Sequence, residues 1–158
     1  PAELDAALDL AFLSDDKAVI EETLTGAEVE CAVMGEGCHA FASDVVGQIV
    51  PKRELYDYEG KYLDGSTDLY IPARIPQAQA ERIRAVAVES YRLLECRGLA
   101  RVDFFASDDG QTVTLNELNT LPGFTSISMY PKLMIASGMT YTELLSRLIR
   151  LALEEKGD

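Results

Sequence analysis

The chain has 158 residues, a formal net charge of −13 at pH 7 and 47% hydrophobic residues. That apolar content suffices for the core of one domain and argues against a disordered chain. The negative charge disfavours binding to nucleic acid or to an anionic membrane surface, and no apolar run has transmembrane length. Three cysteines without a CxxC pair predict buried free thiols, and we expect a cytoplasmic protein.

The first third of the chain predicts a helix followed by short strands. Residues 1–12 have the spacing of an amphipathic helix, with apolar residues four apart at Leu4, Leu8 and Phe12. This helix begins without a methionine or a visible cap, so we expect a fragment of a longer protein. Four β-rich segments follow as predicted strands, the first two joined by a tight turn: 17–24, 27–35, 39–43 and 47–51.

A polar stretch at 52–69 matches neither helical nor strand periodicity, and it contains two glycines and three tyrosines. An irregular stretch of this length inside a compact domain is typically functional or disordered. A short edge strand, limited by Pro72, is predicted to follow at 70–76.

The second half predicts a long helix, a hairpin and two further helices. A helix over 77–98 is expected to end at Gly98 and to have one apolar face: Ile83, Val86, Ala87, Tyr91 and Leu94. Two paired strands, a loop with a short helix, and a terminal helix are predicted at 100–106, 111–119, 125–138 and 140–155. Thr140 and Glu143 have the spacing of a capping box. The pattern predicts an α+β fold, with helices packed on a mostly antiparallel sheet.

Polar side chains are predicted to share one face of the hairpin. With a three-residue loop at 108–110, Arg101 lies opposite Glu117. Asp103 then lies opposite Leu115. Because side chains alternate along each strand, four point to the same face: Arg101, Asp103, Glu117 and Asn119. A two-residue loop would shift the register by one and separate the two carboxylates.

The oxygen donors on that face, without histidine or thiolate, favour a hard cation such as Mg²⁺ or Mn²⁺. The alternative is a salt bridge of Arg101 with Asp103 or Glu117 on a solvated sheet face. The backbone must then turn at 120–123, where Gly123 allows close approach to a bound group. Free N–H groups there predict an oxyanion or phosphate nest, with a plain turn as the alternative.

Three motifs carry a close resemblance to a known family: YDYEGKYLDGSTDLYIPARI (56–75), ARVDFF (100–105) and LNELNTLPGFTSISMYPKL (115–133). They resemble the D-alanine–D-alanine ligases, ATP-grasp enzymes of peptidoglycan precursor synthesis, and the similarity covers the whole chain. The resemblance implies that residues 1–158 form the C-terminal portion of an ATP-grasp domain, with a long mobile loop at 52–69. The family's upstream phosphate-binding half and N-terminal substrate domain are absent from this sequence.

The resemblance also implies metal-binding and catalytic roles. Three residues would hold two Mg²⁺ or Mn²⁺ ions against the phosphates of ATP, with the glutamate shared between both ions: Asp103, Glu117 and Asn119. Arg101 and the N–H of Gly123 would stabilise the acyl phosphate and the tetrahedral intermediate. Ser128 would bind the carboxylate of the second D-alanine, although by itself it is typical of a helix N-cap.

Further positions resemble the family's nucleotide and substrate contacts. In the mobile loop, Lys61 would reach the γ-phosphate and Tyr62 would line the second-substrate pocket. The remaining residues expected to contact ATP are Glu21, Glu22, Leu24, Glu28, Asn116 and Glu117. Among them, 21–24 resembles the adenine-binding hinge, and Glu28 resembles the carboxylate that accepts the ribose hydroxyls. Without the resemblance, these positions indicate only a solvated loop and a solvated edge.

The implied activity is formation of D-alanyl-D-alanine from D-alanine and ATP, in a homodimer. The Lys-Tyr of YEGKYL (58–63) resembles the D-alanine enzymes, whereas IPARI (71–75) also resembles vancomycin-resistance relatives. D-serine or D-lactate as second substrate, or another ATP-grasp carboxylate–amine ligation, therefore stays open. The non-enzymatic alternative is a binding module with a vestigial nucleotide fold. The isolated 158 residues are expected to bind nucleotide weakly and to catalyse nothing.

Overall fold

The structure, a computed structural model, describes residues 2–51 and 67–154. The elements in chain order are α1 (Ala2–Ala11), β1 (Ala27–Glu36), a 3-10 turn (Gly37–His39), β2 (Phe41–Ala42), β3 (Gly47–Pro51), β4 (Thr67–Tyr70), α2 (Gln77–Leu93), β5 (Arg97–Ala106), β6 (Val113–Asn119), α3 (Met129–Ala136) and α4 (Tyr141–Glu154). None of the helices in these two ranges is long and apolar enough to cross a membrane.

Within the described ranges, six strands form one sheet in the order β4-β3-β1-β5-β6, with β2 pairing the end of β1. All of these pairings are antiparallel. The longest ladder joins β1 to β5 over ten residue pairs, so these two strands form the centre of the sheet. The α+β class with a mostly antiparallel sheet is confirmed.

Helices cover both faces of the sheet because the strands alternate apolar side chains between two cores. The first core packs α2 on one face, and its fully buried members include Val29, Val33, Ile83, Tyr91, Val102 and Phe104. The second core packs α3 and α4 on the other face, and its buried members include Ala32, Met34, Ile49, Tyr130, Leu133 and Leu144. Burying each large apolar side chain contributes about 1.5–3 kcal/mol relative to exposure.

Helix α2 ends five residues before the predicted terminus. Its last residue is Leu93, and Glu95 adopts a left-handed conformation with φ 52°. The N–H of Cys96 donates to Tyr91 O at 3.0 Å, and the N–H of Glu95 donates to the carbonyl three residues back, which is a Schellman ending. Gly98 therefore lies inside β5 and does not end the helix, and Leu94 is 62% exposed instead of facing the core.

The strand predicted at 17–24 is wrong. These residues have no regular secondary structure, and Val19 and Ile20 are largely exposed. A strand needs a hydrogen-bonding neighbour. Both edges of β1 are occupied, one by β5 and the other by β3 and β2, so the predicted hairpin partner has no free edge there.

The predictions for the loop, the cysteines and the other helices are confirmed only in part. The predicted loop at 52–69 lies outside the described residues except for its last three, which start β4. The edge strand predicted at 70–76 is wrong apart from Tyr70, because β4 ends at that residue and 71–76 have no regular secondary structure. All three cysteines are free, but only Cys31 is fully buried and Cys38 is exposed. The helices predicted for 1–12, 125–138 and 140–155 are confirmed as α1, α3 and α4.

The predicted capping box at the start of α4 is confirmed. The backbone N–H of Thr140 donates to Glu143 Oε2 at 2.8 Å, and the N–H of Glu143 donates to Thr140 Oγ1 at 3.2 Å. The hydrogen bond from the Thr140 backbone lowers the pKa of Glu143 below its ordinary value, and the Thr140 hydroxyl adds to the effect. The start of the terminal helix is therefore fixed by its own sequence.

Candidate functional site

The candidate site lies where β5 and β6 pair. Asp103 is the direct partner of Glu117, and Arg101 is the direct partner of Asn119. The register expected from the sequence, with Arg101 opposite Glu117 and Asp103 opposite Leu115, is wrong. The four polar residues nevertheless lie on one face, because both pairs sit two residues apart along their strands.

Two departures from the expected hairpin explain this outcome. The N–H of Ser107 donates to Thr112 O at 3.0 Å, so the loop spans four residues, 108–111, and not three. This longer loop shifts the register by one residue. A β-bulge at Asn116 shifts it by one more and returns Glu117 to the face it would otherwise have left.

Arg101 lies between two buried carboxylates. Its Nε donates to Asp103 Oδ1 at 2.8 Å and its Nη2 donates to Asp103 Oδ2 at 2.7 Å, a bidentate ion pair. The same Nε lies 3.2 Å from Oε1 of Glu30, which is 3% exposed and pairs directly with Asp103 across β1 and β5. Three carboxylates therefore stand in one row across β1, β5 and β6, at Glu30, Asp103 and Glu117.

The carboxylates of this cluster raise the pKa of Arg101. Burial by itself lowers the pKa of the guanidinium, since it disfavours the charged form. The hydrogen bonds to Asp103 and the charges of Glu30, Asp103 and Glu117 outweigh that effect and raise the pKa above its ordinary value. Arg101 is thus a fixed positive charge on a face that is otherwise acidic.

The donor chemistry at this face fits a hard cation. Two carboxylates and one amide oxygen, at Asp103, Glu117 and Asn119, are ligands that Mg²⁺ and Mn²⁺ accept. Both oxygens of Asp103 already accept from Arg101, and within 2–51 and 67–154 no three His, Cys, Asp or Glu side chains are arranged to hold a metal. A cation here would take its remaining ligands from phosphate oxygens or water.

A turn connects this face to α3. Oδ1 of Asn119 accepts the N–H of Leu121 at 3.1 Å, which starts the turn. A Cβ on Gly123 would lie 2.8 Å from Ser128 Oγ, so the absence of a side chain allows this close approach. Ser128 precedes α3 at the N-cap position, but its Oγ accepts the N–H of Thr125 at 3.0 Å and makes no cap hydrogen bond.

An aromatic group supports that turn from the α3 and α4 side. The ring centroid of Phe124 lies 5.9 Å from that of Tyr130 and 6.0 Å from that of Tyr141. Tyr130 is fully buried, and its hydroxyl donates to Val33 O in β1 at 3.2 Å. The segment carrying Gly123 is therefore tied to the second core.

The remaining predicted site residues are not all brought to this face. Glu28 lies in β1, two residues before Glu30 and opposite Phe105, so it continues the same face. The expected hinge residues lie on the exposed irregular segment before β1: Glu21, Glu22 and Leu24. Asn116 is exposed at the bulge. Lys61 and Tyr62 lie outside the described residues.

The described cavities lie elsewhere. Two surface cavities of about 240 and 290 Å³ run along α4, and both are lined by Phe41 and Arg147. Neither cavity has Arg101, Asp103 or Glu117 in its lining.

The sequence matches the family described as "D-ala D-ala ligase C-terminus" over residues 1–150. The chain belongs to the D-alanine–D-alanine ligase family. A D-alanine–D-alanine ligase of Caldicellulosiruptor bescii is 50% identical over 153 residues, which cover 97% of this chain and 42% of that protein. The chain thus spans less than half the length of the curated ligases it matches.

Solved structures of the ligase family share the fold. The VanG D-Ala:D-Ser ligase of Enterococcus faecalis superposes with a TM-score of 0.83 at 41% identity, over 96% of this chain and 43% of that one. The Bacillus anthracis D-alanine–D-alanine ligase complexed with ATP superposes with a TM-score of 0.77 at 32% identity, over 99% and 50%. The predicted C-terminal portion of an ATP-grasp fold is confirmed by these likenesses.

Glu30 is the functional candidate that the sequence did not single out in this ligase-family chain. The alternation of β1 contained a signal, because Glu28 and Glu30 interrupt a run whose odd positions are apolar. What the sequence lacks is the β1–β5 register, which sets Glu30 beside Asp103. Without that pairing, a glutamate in a strand indicates only a solvated edge.

Proposed function

We propose that the protein carrying this chain is an ATP-dependent D-alanine–D-alanine ligase, and that residues 1–158 are the C-terminal part of its ATP-grasp domain. The observation that supports this most is the opposed pair Asp103 and Glu117, with Arg101 beside it, in a chain of this family. The face combines fixed positive charge with oxygen ligands, the two requirements for handling a phosphate and its cation.

The proposed cation site uses Asp103, Glu117 and Asn119, with Glu117 shared between two Mg²⁺ or Mn²⁺ ions. Bound cations would neutralise charge on the transferred phosphoryl group. The protein's contribution is to present these oxygens from two neighbouring strands, where their spacing is fixed by the ladder. The bulge at Asn116 gives that segment a further exposed amide for the nucleotide.

The proposed reaction joins two D-alanine molecules. The carboxylate of the first attacks the γ-phosphorus of ATP, which forms an acyl phosphate and releases ADP. The amine of the second then attacks the acyl carbon, loses a proton, forms the amide bond and expels phosphate. Arg101 would stabilise negative charge on both the transferred group and the tetrahedral intermediate, together with the N–H of Gly123. Ser128, which lies against Gly123, would bind the carboxylate of the second D-alanine.

Nucleotide binding would extend along β1 and the segment before it. We assign the adenine contacts to Glu21, Glu22 and Leu24, and the ribose hydroxyls to Glu28. Lys61 would meet the γ-phosphate, and Tyr62 would line the second-substrate pocket. We further propose a homodimeric, cytoplasmic enzyme of cell-wall precursor synthesis, in which the 158 residues alone do not turn over substrate.

A second candidate function is D-alanine–D-serine ligation. It is favoured by the likeness to the VanG D-Ala:D-Ser ligase, which is 41% identical to this chain. The two candidates differ only in the acceptor that attacks the acyl phosphate. A hydroxyl-bearing acceptor needs an additional hydrogen-bond partner in the pocket, so acceptor preference separates them.

Phosphate release by the full-length protein tests the proposal. With ATP and Mg²⁺, D-alanine alone should stimulate release and yield D-alanyl-D-alanine. D-serine or D-lactate should add little unless D-alanine is present as the first substrate. Phosphate release that ignores D-alanine but responds to another carboxylic acid would replace this proposal with a different ATP-grasp ligation.

A further inference from the structure

The buried carboxylate of Glu30 has no part in the proposed cation site, yet it contacts the residue beside it. Oε1 of Glu30 lies 3.2 Å from Arg101 Nε, and the Glu30 side chain is only 4% exposed. Glu30 also stands directly beside Asp103 in the β1–β5 ladder. Burying a carboxylate costs desolvation free energy unless the charge is paired. The burial of Glu30 in the centre of the sheet therefore indicates that its charge has a function.

Arg101 is held from two sides. Asp103 accepts from both Nε and Nη2, and Oε1 of Glu30 lies 3.2 Å from Nε. A cation that coordinates Asp103 shares its two oxygens with the guanidinium, and the two positive charges then lie close together and repel each other. If Asp103 were the sole anion near Arg101, cation binding would weaken the ion pair between Arg101 and Asp103. A stronger ion pair would in turn weaken cation binding at Asp103.

We propose that Glu30 is a positioning residue that keeps the Arg101 guanidinium on the β5–β6 face while Asp103 turns to a bound cation. This inference rests on the proposed function. Glu30 does not touch substrate or cation in this account. It lowers the competition between Arg101 and the cation for Asp103, and it fixes the guanidinium where charge develops on the transferred phosphoryl group.

The test uses the full-length protein and five variants, four with a single substitution and one with two. Glu30→Gln removes the charge and keeps an acceptor oxygen, and Glu30→Asp keeps the charge but withdraws it from Arg101. Glu36→Gln is the control, because Glu36 forms an ion pair with Arg97, 3.0 Å apart, at the far end of the same two strands, where both side chains are more exposed. Arg101→Gln, alone and combined with Glu30→Gln, completes a double-mutant cycle.

The decisive readout is Mn²⁺ binding to the complex with a non-hydrolysable ATP analogue, followed by electron paramagnetic resonance. Both Glu30 variants should weaken Mn²⁺ binding on the order of tenfold, whereas the Glu36 control should bind as wild type. In the Arg101→Gln background, Glu30→Gln should change Mn²⁺ binding by less than about twofold, because the residue it acts through is gone. The value of kcat should fall in both Glu30 variants while KM for ATP stays near that of wild type.

Three results would overturn the inference. Glu30→Asp with wild-type Mn²⁺ binding would mean that only the charge matters and not the contact. An undiminished Glu30→Gln effect in the Arg101→Gln background would mean that Glu30 acts on the cation directly. Wild-type behaviour of Glu30→Gln would remove any role. Failure of the wild-type protein to release phosphate with D-alanine would instead refute the proposed function. Mn²⁺ binding to the Glu30 and Arg101 variants would still test the inference, because it does not depend on turnover.

Discussion

Asp103 and Glu117 face each other across β5 and β6, and they do so through a one-residue bulge. Toward the hairpin loop the ladder runs in a register that would set Asp103 opposite Asn116 and turn Glu117 to the α2 side. The extra residue restores the alternation, so that both carboxylates lie on the face that holds Arg101. The position of Glu117 in the row of carboxylates therefore depends on this bulge.

Disulfide cross-linking tests the two registers on either side of the bulge. Cysteine pairs at Phe105 and Thr114, and separately at Arg101 and Asn119, should each form a disulfide, because directly opposed residues have Cα atoms about 4.5–5.5 Å apart. The measurement is the fraction of cross-linked protein after mild oxidation, in a background with Cys38 and Cys96 changed to serine.

A continuous ladder would contradict this arrangement. If the pair at 105 and 114 is cross-linked and the pair at 101 and 119 is not, the bulge is absent in solution. The matched control replaces Arg101 and Glu117 by cysteine, a diagonal pair about 7–8 Å apart, which should cross-link poorly.

Glu117→Gln should abolish most activity without affecting the fold. Glu117 is exposed, so the free energy of unfolding should change by no more than about 0.5 kcal/mol. If Glu117 is the shared cation ligand, kcat for D-alanine-dependent phosphate release should fall on the order of 100-fold or more. Glu81→Gln, an exposed glutamate on α2 that accepts from Gln77, is the control and should be fully active. Equal activity in both variants would exclude Glu117 from the site.

Gly123→Ala should destabilise the turn because the added methyl group would displace the Ser128 hydroxyl. A Cβ there would meet Ser128 Oγ at 2.8 Å, so the hydroxyl must leave its hydrogen bond with the Thr125 N–H, at a cost of about 1 kcal/mol. In a Ser128→Ala background that hydroxyl is missing, and Gly123→Ala should cost much less. Thermal unfolding of the four proteins measures the coupling. The same loss in both backgrounds would show that the glycine is needed for another reason.

Much of the fold could be predicted because the elements carry local signals. The capping box fixed the start of α4, and the apolar spacing of Ile83, Ala87 and Tyr91 identified the buried face of α2. The segment at 17–24 carried equally good strand signals and forms no strand. Strand formation depends on a free edge in three dimensions, which no local pattern contains.

The sequence predicted which residues form the candidate site, but not how β5 and β6 pair them. The side chains at 101, 103, 117 and 119 came together although the assumed loop was one residue too short, because the bulge added a second one-residue shift and a total shift of two residues returns each side chain to its face. A bulge leaves little trace in composition. Glu30 could not be assigned for a related reason, since its importance depends on a β1–β5 register between segments far apart in sequence.

Thr140→Ala should lower the free energy of unfolding by about 1 kcal/mol, because it removes the side chain that caps α4. Urea denaturation measures this, with Thr142→Ala in the first turn as the control. Comparable losses in the two variants would indicate that threonine is needed in this turn for a reason other than the cap.

The pH dependence of stability tests the other half of the capping box. The hydrogen bond from the Thr140 backbone lowers the pKa of Glu143 in the folded state, so its carboxylate stabilises the fold above pH 4.5, the ordinary value. That stabilisation is lost as the pH falls through the lowered pKa. The stability difference between wild type and Glu143→Gln should therefore be full near neutral pH and vanish in acid. A difference that does not depend on pH would contradict a charged cap.

A crystal structure of the full-length protein with Mn²⁺ and a non-hydrolysable ATP analogue tests the central claim most directly. Anomalous scattering locates the cation independently of any assumption about its ligands. The account predicts Mn²⁺ peaks within about 2.0–2.6 Å of carboxylate oxygens of Asp103 and Glu117, with phosphate oxygens completing the shell. Peaks bound by other residues, with Asp103 still paired to Arg101 and Glu117 in solvent, would contradict it.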